Sequence, residues 1–246
     1  MNLSKQVQRY QRKNIIKAAN FRRVKIPKVL DKDLAYFVGI LRDGVLTCRE
    51  GSKGDYEVEI YQKNAEWLEK VVKPLVRKLF GVEVKVTYQH KKTGTVGRIR
   101  IYSKIVYLFL KEVFEHPDTN KQKTCWKTPS LILKATSKIK QSYAQGFFDA
   151  EGYIAKDLRT IIIGQAWDKE GPSPLSDIKY ILEEIGITCY LTRVIDKRGG
   201  RKPLEILRIH RKDSIHKFIR KIGSRHPNKL DRFKKFDDLF APDLVA

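Results

Sequence analysis

An α+β fold made of two copies of one α-β-β-α-β-β-α unit is predicted for this chain of 246 residues. Three observations carry that prediction. Two segments nearly repeat, Tyr36-Phe-Val-Gly39-Ile-Leu-Arg-Asp43-Gly44 and Tyr143-Ala-Gln-Gly146-Phe-Phe-Asp149-Ala-Glu151-Gly152, each an apolar helix with a glycine inside and an acid-glycine pair at its end. Further matches follow in the same order at a nearly constant offset: Asp43 with Glu151, Gln62 with Gln165, Gly81 with Gly186 and Arg100 with Arg208. Between them, strand-like alternation and helix-like spacing of apolar residues recur in one order.

The elements read as follows. Residues 1–32 form a basic extension, with Lys5, Arg9, Arg12, Lys13, Lys17, Arg22, Arg23, Lys25 and Lys28 and no acid before Asp31. A basic helix over 4–19 is expected there, broken before Pro27. The first repeat covers 33–115. Its helix 33–42 ends at Gly44. Strands 45–49 and 55–62 flank the turn 51–54, and Tyr56, Val58 and Ile60 alternate with Glu57, Glu59 and Tyr61. Asn64 caps a helix running to Phe80 with Trp67, Val71, Leu75 and Leu79 on one stripe, and Gly81 stops it. Val82, Val84, Val86 and Tyr88 alternate in a third strand. A turn over 90–97 leads to the strand 98–102, and the helix 103–114 closes the unit. A linker, 116–137, holds Pro117 and Pro129.

The second repeat covers 138–222. Its elements are the helix 139–151, strands 152–156 and 159–165, the helix 176–185 ending at Gly186, strands 187–195 and 204–210 around a basic turn 197–202, and the helix 213–222. Residues 223–246 read as a mixed-charge tail with a short helix over 230–240.

Composition narrows the function. With 51 Lys+Arg against 28 Asp+Glu, the formal charge is +23. So large an excess repels itself unless a polyanion relieves it, and nucleic acid is the expected partner. No apolar run reaches the roughly 18 residues of a membrane span, so no membrane role is expected. No secretory segment opens the chain, and the 3 Cys lack metal spacing. An intracellular, cytoplasmic setting follows, in a prokaryotic or archaeal host. The five His residues also lack ligand spacing and are expected in surface or packing roles.

A helix ending Gly-apolar-apolar-Asp-Ala-acid-Gly, occurring twice, resembles the LAGLIDADG homing endonucleases. Gly146–Gly152 matches that motif closely, and Gly39–Gly44 is one residue shorter between its inner glycine and its acid. The resemblance spans about 33–222. It implies a single-chain, pseudo-twofold saddle, with the two motif helices side by side and two four-stranded antiparallel sheets forming a DNA-binding groove. It implies Asp43 and Glu151 as metal-binding acids, with the closing Gly44 and Gly152 beside them, and Mg²⁺ as cofactor with Mn²⁺ able to substitute. It implies polar and basic groups around the metal; Gln62, Gln165 and Lys156 are the catalytic candidates for those places. Asp149, two residues before Glu151, points elsewhere on the helix and is expected to cap or to bond across an interface. Small residues at Gly39, Gly146 and Ala150 suit helices that cross closely.

The sheets are expected to read DNA through Lys85, Arg98, Arg100, Tyr102, Arg193 and Arg208, with the turn residues Arg201 and Lys202 clamping the backbone. The expected function is a site-specific double-strand DNA endonuclease, a monomer that uses divalent metal on a long asymmetric target. A non-cleaving binder of the same fold, an intron-RNA maturase or a DNA-binding regulator, is the alternative; intron RNA would then be a partner. The chain opens Met-Asn and lacks the His-Asn and nucleophile of self-splicing. An intron-borne or free-standing origin is therefore expected over an intein.

Overall fold

The computed structural model of the chain describes residues 3, 24–49, 55–91, 94–117, 127–167, 173, 175–195 and 203–240. The expected helix over 4–19, the turns 51–54 and 197–202 (with Arg201 and Lys202) and most of the linker lie outside the described residues.

The first repeat begins with α1 (Lys32–Ile40), capped by Asp31, whose carboxylate accepts from Leu34 N–H at 2.8 Å. A 3₁₀ turn, Leu41–Asp43, ends it and runs straight into β1 (Gly44–Arg49) and then β2 (Asp55–Gln62). The next helix, α2, covers 65–80. Asn64 caps it, and a π-helical segment, Leu68–Val72, separates its two α-helical parts. Strands β3 (Val86–Lys91) and β4 (Gly94–Tyr102) and helix α3 (Lys104–Val113), capped by Ser103, complete the unit. The ladder between β3 and β4 continues to the Lys91↔Gly94 pair, so both strands extend past their predicted ends. Residues 82–85 carry the expected alternation, with Val84 buried, but stand outside the ladder.

After α4 (Ser130–Leu133), inside the expected linker, the order repeats as α5 (Ser137–Glu151), β5 (Gly152–Ile154), β6 (Ile161–Ala166), α6 (Ser176–Glu183), β7 (Tyr190–Val194), β8 (Leu204–Ile209) and α7 (Lys212–Lys221). The two sheets have the same topology, β1-β2-β4-β3 and β5-β6-β8-β7, with every pairing antiparallel. Gly81 and Gly186 both take a left-handed conformation, φ 66° and 76°, at the ends of α2 and α6.

Residues 223–240 are more than a tail. Helix α8 (Pro227–Phe240) buries Phe233 and Phe236, and Phe233 stacks on Phe148 at 5.9 Å. Among the described residues no helix is long and apolar enough to cross a membrane.

The centre of the molecule is the crossing of α1 and α5, which fixes where the acids end up. Their glycines make the close approach possible. A Cβ at Gly39 would lie 2.8 Å from the Phe147 backbone nitrogen and nearer still to the Tyr143 carbonyl oxygen. A Cβ at Gly146 would lie 3.1 Å from the Ile40 nitrogen and would overlap the Tyr36 carbonyl oxygen. Each glycine faces the same two positions on the opposite helix, the reciprocal pattern of a twofold contact.

Candidate active site

Both motif helices end at their acid, and in both the next residue is a glycine that opens a strand. The backbones of those glycines nearly coincide, φ −107°, ψ 163° at Gly44 and φ −98°, ψ 163° at Gly152. The one-residue difference between the motifs is absorbed in the preceding turn. Gly44 N–H bonds to Leu41, three residues back, and Gly152 N–H to Phe148, four back. Five α-helical steps from Gly146 to Glu151 advance about 7.5 Å, and one α step plus three 3₁₀ steps from Gly39 to Asp43 also advance about 7.5 Å. The net rotations differ by about 40°, against about 100° if the shorter motif had stayed α-helical. The 3₁₀ turn therefore carries Asp43 to the level of Glu151.

A buried cation sits at the end of α5. Lys229, 8% exposed, comes from α8 and donates to the carbonyls of Phe148 (2.5 Å) and Asp149 (2.8 Å). It thus bonds carbonyls at the C-terminus of α5 and offsets the partial negative charge there. Its ammonium also feels Asp149, Glu151 and Asp43. Burial nevertheless pulls its pKa down to about 8. Burial likewise pushes Glu151 up to about 7, opposed by the charges of Arg42 and Lys229 and by a hydrogen bond from Gln165. Arg42, 6% exposed, lies over the Phe147 ring at 4.7 Å.

Asp149 is fully buried and structural, as its place on the helix implied. It accepts from Tyr36 Oη at 2.6 Å and Arg225 N–H at 2.8 Å and bonds the Ser224 hydroxyl. Arg225 in turn pairs with Asp33 at 2.8 Å, so Asp149 ties the crossing helices to the segment leading into α8.

The glutamines occupy equivalent places, each two residues beyond the strand partner of its glycine: Gly44 pairs with Ile60 and Gly152 with Ile163. Their bonds differ. The Gln62 amide oxygen accepts from Lys63 N–H at 2.8 Å. Gln165 bonds Glu151, and its amide oxygen is buried with no hydrogen-bond partner. Lys156 is exposed on the loop after β5, beside Asn228, Asp231 and Arg232 of α8. The cations acting on Glu151 are Arg42 and Lys229, and Lys156 is not among them. Lys229 had a sequence signal. It falls on one helical stripe with Phe233, Phe236 and Phe240, a lysine in an apolar row.

Among the described residues no three His, Cys, Asp or Glu side chains gather as a metal cage. Two carboxylates beside an unpartnered buried amide oxygen suit a hard cation that keeps part of its water and completes its shell with phosphate oxygens.

Strand register decides which side chains the outer faces show. On the first sheet Arg98 and Arg100 stand opposite Tyr61 and Glu59, and Tyr102 opposite Glu57. The arginines are not free donors there. Arg100 lies 2.8 Å from Glu57 and 2.7 Å from Glu59 and bonds the Tyr102 hydroxyl at 3.1 Å, leaving the acids 5% and 6% exposed. Lys85 is exposed just before β3. Arg208 is on the outer face of the second sheet, bonded to Thr192 at 2.5 Å. Arg193 is not. It stands opposite Glu205 on the face turned to the helices, pairs with that buried carboxylate at 2.9 Å and lies 3.9 Å over Trp167. Its alternation with Leu191 and Cys189 marks that face in the sequence.

Comparison with known proteins agrees with this fold. Residues 139–223 match the model of a LAGLIDADG-like domain. The homing endonuclease I-ApeI of Aeropyrum pernix is 32% identical over 212 residues, covering 86% of this chain and 88% of that protein. Among solved structures, I-DmoI in complex with DNA and Ca superposes with a TM-score of 0.58 at 19% identity, covering 84% of this chain and 98% of that one. I-WcaI bound to its DNA recognition sequence does so at 0.54 and 14%, covering 92% of each.

Proposed function

Because this chain belongs to the LAGLIDADG homing endonuclease family, as its likeness to I-ApeI establishes, we propose that it is a site-specific, divalent-metal-dependent endonuclease that cuts double-stranded DNA at a long asymmetric target. Asp43 and Glu151 hold the metal, with Gly44 and Gly152 beside them, and Mg²⁺ is the physiological ion with Mn²⁺ able to replace it. A bound divalent cation would polarise the scissile phosphate and ease loss of a proton from water. The chain's own residues do the rest. Lys229 offsets the charge of the two acids and the C-terminal dipole of α5, so the acids stay close before the metal arrives. Gln165 fixes Glu151 through its amide N–H, and its buried oxygen is an acceptor that can hold the attacking water. Gln62 takes the matching place in the first repeat. Lys156 and Lys85, both exposed, are read as phosphate contacts. Both halves of the dyad lie in one chain, which suits a monomer.

One observation carries this reading: Asp43 and Glu151 end the two helices that cross at Gly39 and Gly146, each followed by a glycine of nearly the same conformation. The non-cleaving alternative draws its support from the shortened first motif; the 3₁₀ turn, which matches the rise of the longer motif, supports the nuclease reading. Selection for cleavage from a random double-stranded DNA library, run with Mg²⁺ and with Ca²⁺, tests the proposal. Recovery of one long target without palindromic halves, cut with Mg²⁺, is expected. Enrichment by binding with no cut products in Mg²⁺ or Mn²⁺ would reject it in favour of a binder.

A further inference from the structure

The second sheet has an open face whose chemistry is unlike the first. Alternation places Tyr153, Ile162, Gly164, Ala166, Tyr190, Thr192, Val194, Leu204, Ile206 and Arg208 on the outer side of the β5-β6-β8-β7 ladder. Arg208 is the one charged residue among the described strand positions of that side. The apolar residues are open to solvent: Val194 is 43% exposed, Leu204 44%, Tyr190 47% and Tyr153 53%. A contiguous apolar face this exposed marks a contact surface. It is continuous with the candidate active site, because Tyr153 directly follows the Glu151-Gly152 pair and lies on it.

Resting on the endonuclease reading above, we propose that this face reads its half of the target through thymine methyl groups, as a thymine-rich half-site, whereas the first sheet reads the other half through polar groups. Two arguments favour the major-groove edge over the other surfaces of DNA. Phosphates call for cations, and among the described strand positions of this face Arg208 is the one cation. A β-ribbon fits the wide major groove of undeformed DNA, whereas a sheet entering the minor groove of about 6 Å has to open and kink it. On the major-groove edge the C5-methyl of thymine is the one apolar group, and aliphatic side chains are its partners. Ile162, Ile206, Leu204 and Val194 supply that surface. Arg208, held by Thr192, leaves room for one guanine contact among them.

The test uses the full chain with Ca²⁺, so that binding is read apart from cutting. Targets are first selected from random duplex DNA. Thymines are then replaced by deoxyuridine in one half at a time, which removes the methyl and keeps every hydrogen bond. Replacement in one half should weaken binding about three- to fourfold per methyl contacted, the value of one buried methyl. Replacement in the other half should change it little. Ile206→Ser, and separately the exposed Val194→Ser, should flatten the loss in the sensitive half. Equal sensitivity of both halves, or a loss that survives both variants, would overturn the proposal. A Val194-dependent dimer of the free protein would also overturn it and assign the face to a second copy. A target bound but never cut would sink the endonuclease reading while leaving the deoxyuridine comparison intact.

Discussion

The two repeats agree wherever they pack and disagree wherever they are open. At matching rungs of the sheets, Glu59 becomes Ile162, Arg98 becomes Ile206 and Tyr61 becomes Gly164, with Arg100 and Arg208 the shared charge. Facing the helices, Val58 and Ile60 answer to Ile161 and Ile163, all essentially buried. The difference shows what each surface is constrained by. An inner position must fill a fixed volume. An outer one meets only its neighbours on the same face, so its chemistry is set largely by what it touches outside. The helix ends follow the same division: one is a 3₁₀ turn and one α-helical, yet both deliver an acid followed by a glycine of the same conformation.

The sharpest way to break that symmetry is at the crossing. Gly39→Ala and Gly146→Ala should each cost about 3 kcal/mol or more, because the added carbon meets backbone that cannot swing aside. Urea unfolding of both variants checks this. A cost for one and not the other would show that the contact is not reciprocal.

Next come the side chains at the helix ends. Lys229→Met should cost about 3 kcal/mol, since it strips an ammonium from two carbonyls and a buried carboxylate. His116, buried with its ring nitrogens 2.9 Å from the Pro117 carbonyl oxygen and 3.4 Å from that of Leu41, is the outside group at the end of α1. His116→Gln should cost less, about 1 kcal/mol, because no charge is involved.

A pH experiment separates these two further. Burial depresses His116 to about 4, below its unfolded value. On acidification the unfolded chain takes up the proton first, so the stabilisation is complete above about pH 6.5 and is lost as pH falls toward 4. By pH 5 the loss from His116 should reach about 2 kcal/mol, and His116→Gln should remove that part of the slope. His226, stacked on Trp67 and also lowered to about 4 by burial, adds to the same window. Stability that rises on acidification would reverse the sign of this account.

The smallest effect concerns the first sheet. Glu59→Gln removes one of the carboxylates that hold Arg100. Non-specific DNA affinity at low salt should rise about two- to threefold, with a steeper salt dependence, as the guanidinium is released toward phosphate. Titration of random duplex DNA at several salt concentrations reads it.

Most of the fold was legible because it rests on local rules. Alternation over 55–62, the cap Asn64 and the stops Gly81 and Gly186 need only neighbours in sequence. The motif glycines and acids were legible for the same reason. What was missed depends on contacts between distant segments. Nothing in Leu41-Arg42-Asp43 specifies a 3₁₀ turn. The tighter turn makes up the missing residue by matching the rise of the longer motif. Arg98 and Arg100 looked like free readers because the acids that restrain them stand on the neighbouring strand. Lys229 stands in a run with Arg232, Lys234 and Lys235, and only the apolar stripe it shares with Phe233, Phe236 and Phe240 tells it apart in sequence.

The central claim is that two unlike helix ends deliver two working acids to one metal site. Its most direct test is cleavage of the selected target by Asp43→Asn and by Glu151→Gln, with binding followed in Ca²⁺. Both variants should lose at least about a thousandfold in cleavage, the scale of removing a major electrostatic contribution to catalysis, while still binding the target. Wild-type cutting by Asp43→Asn would show that the shortened motif contributes no metal ligand, and the account of its 3₁₀ turn would fall with it.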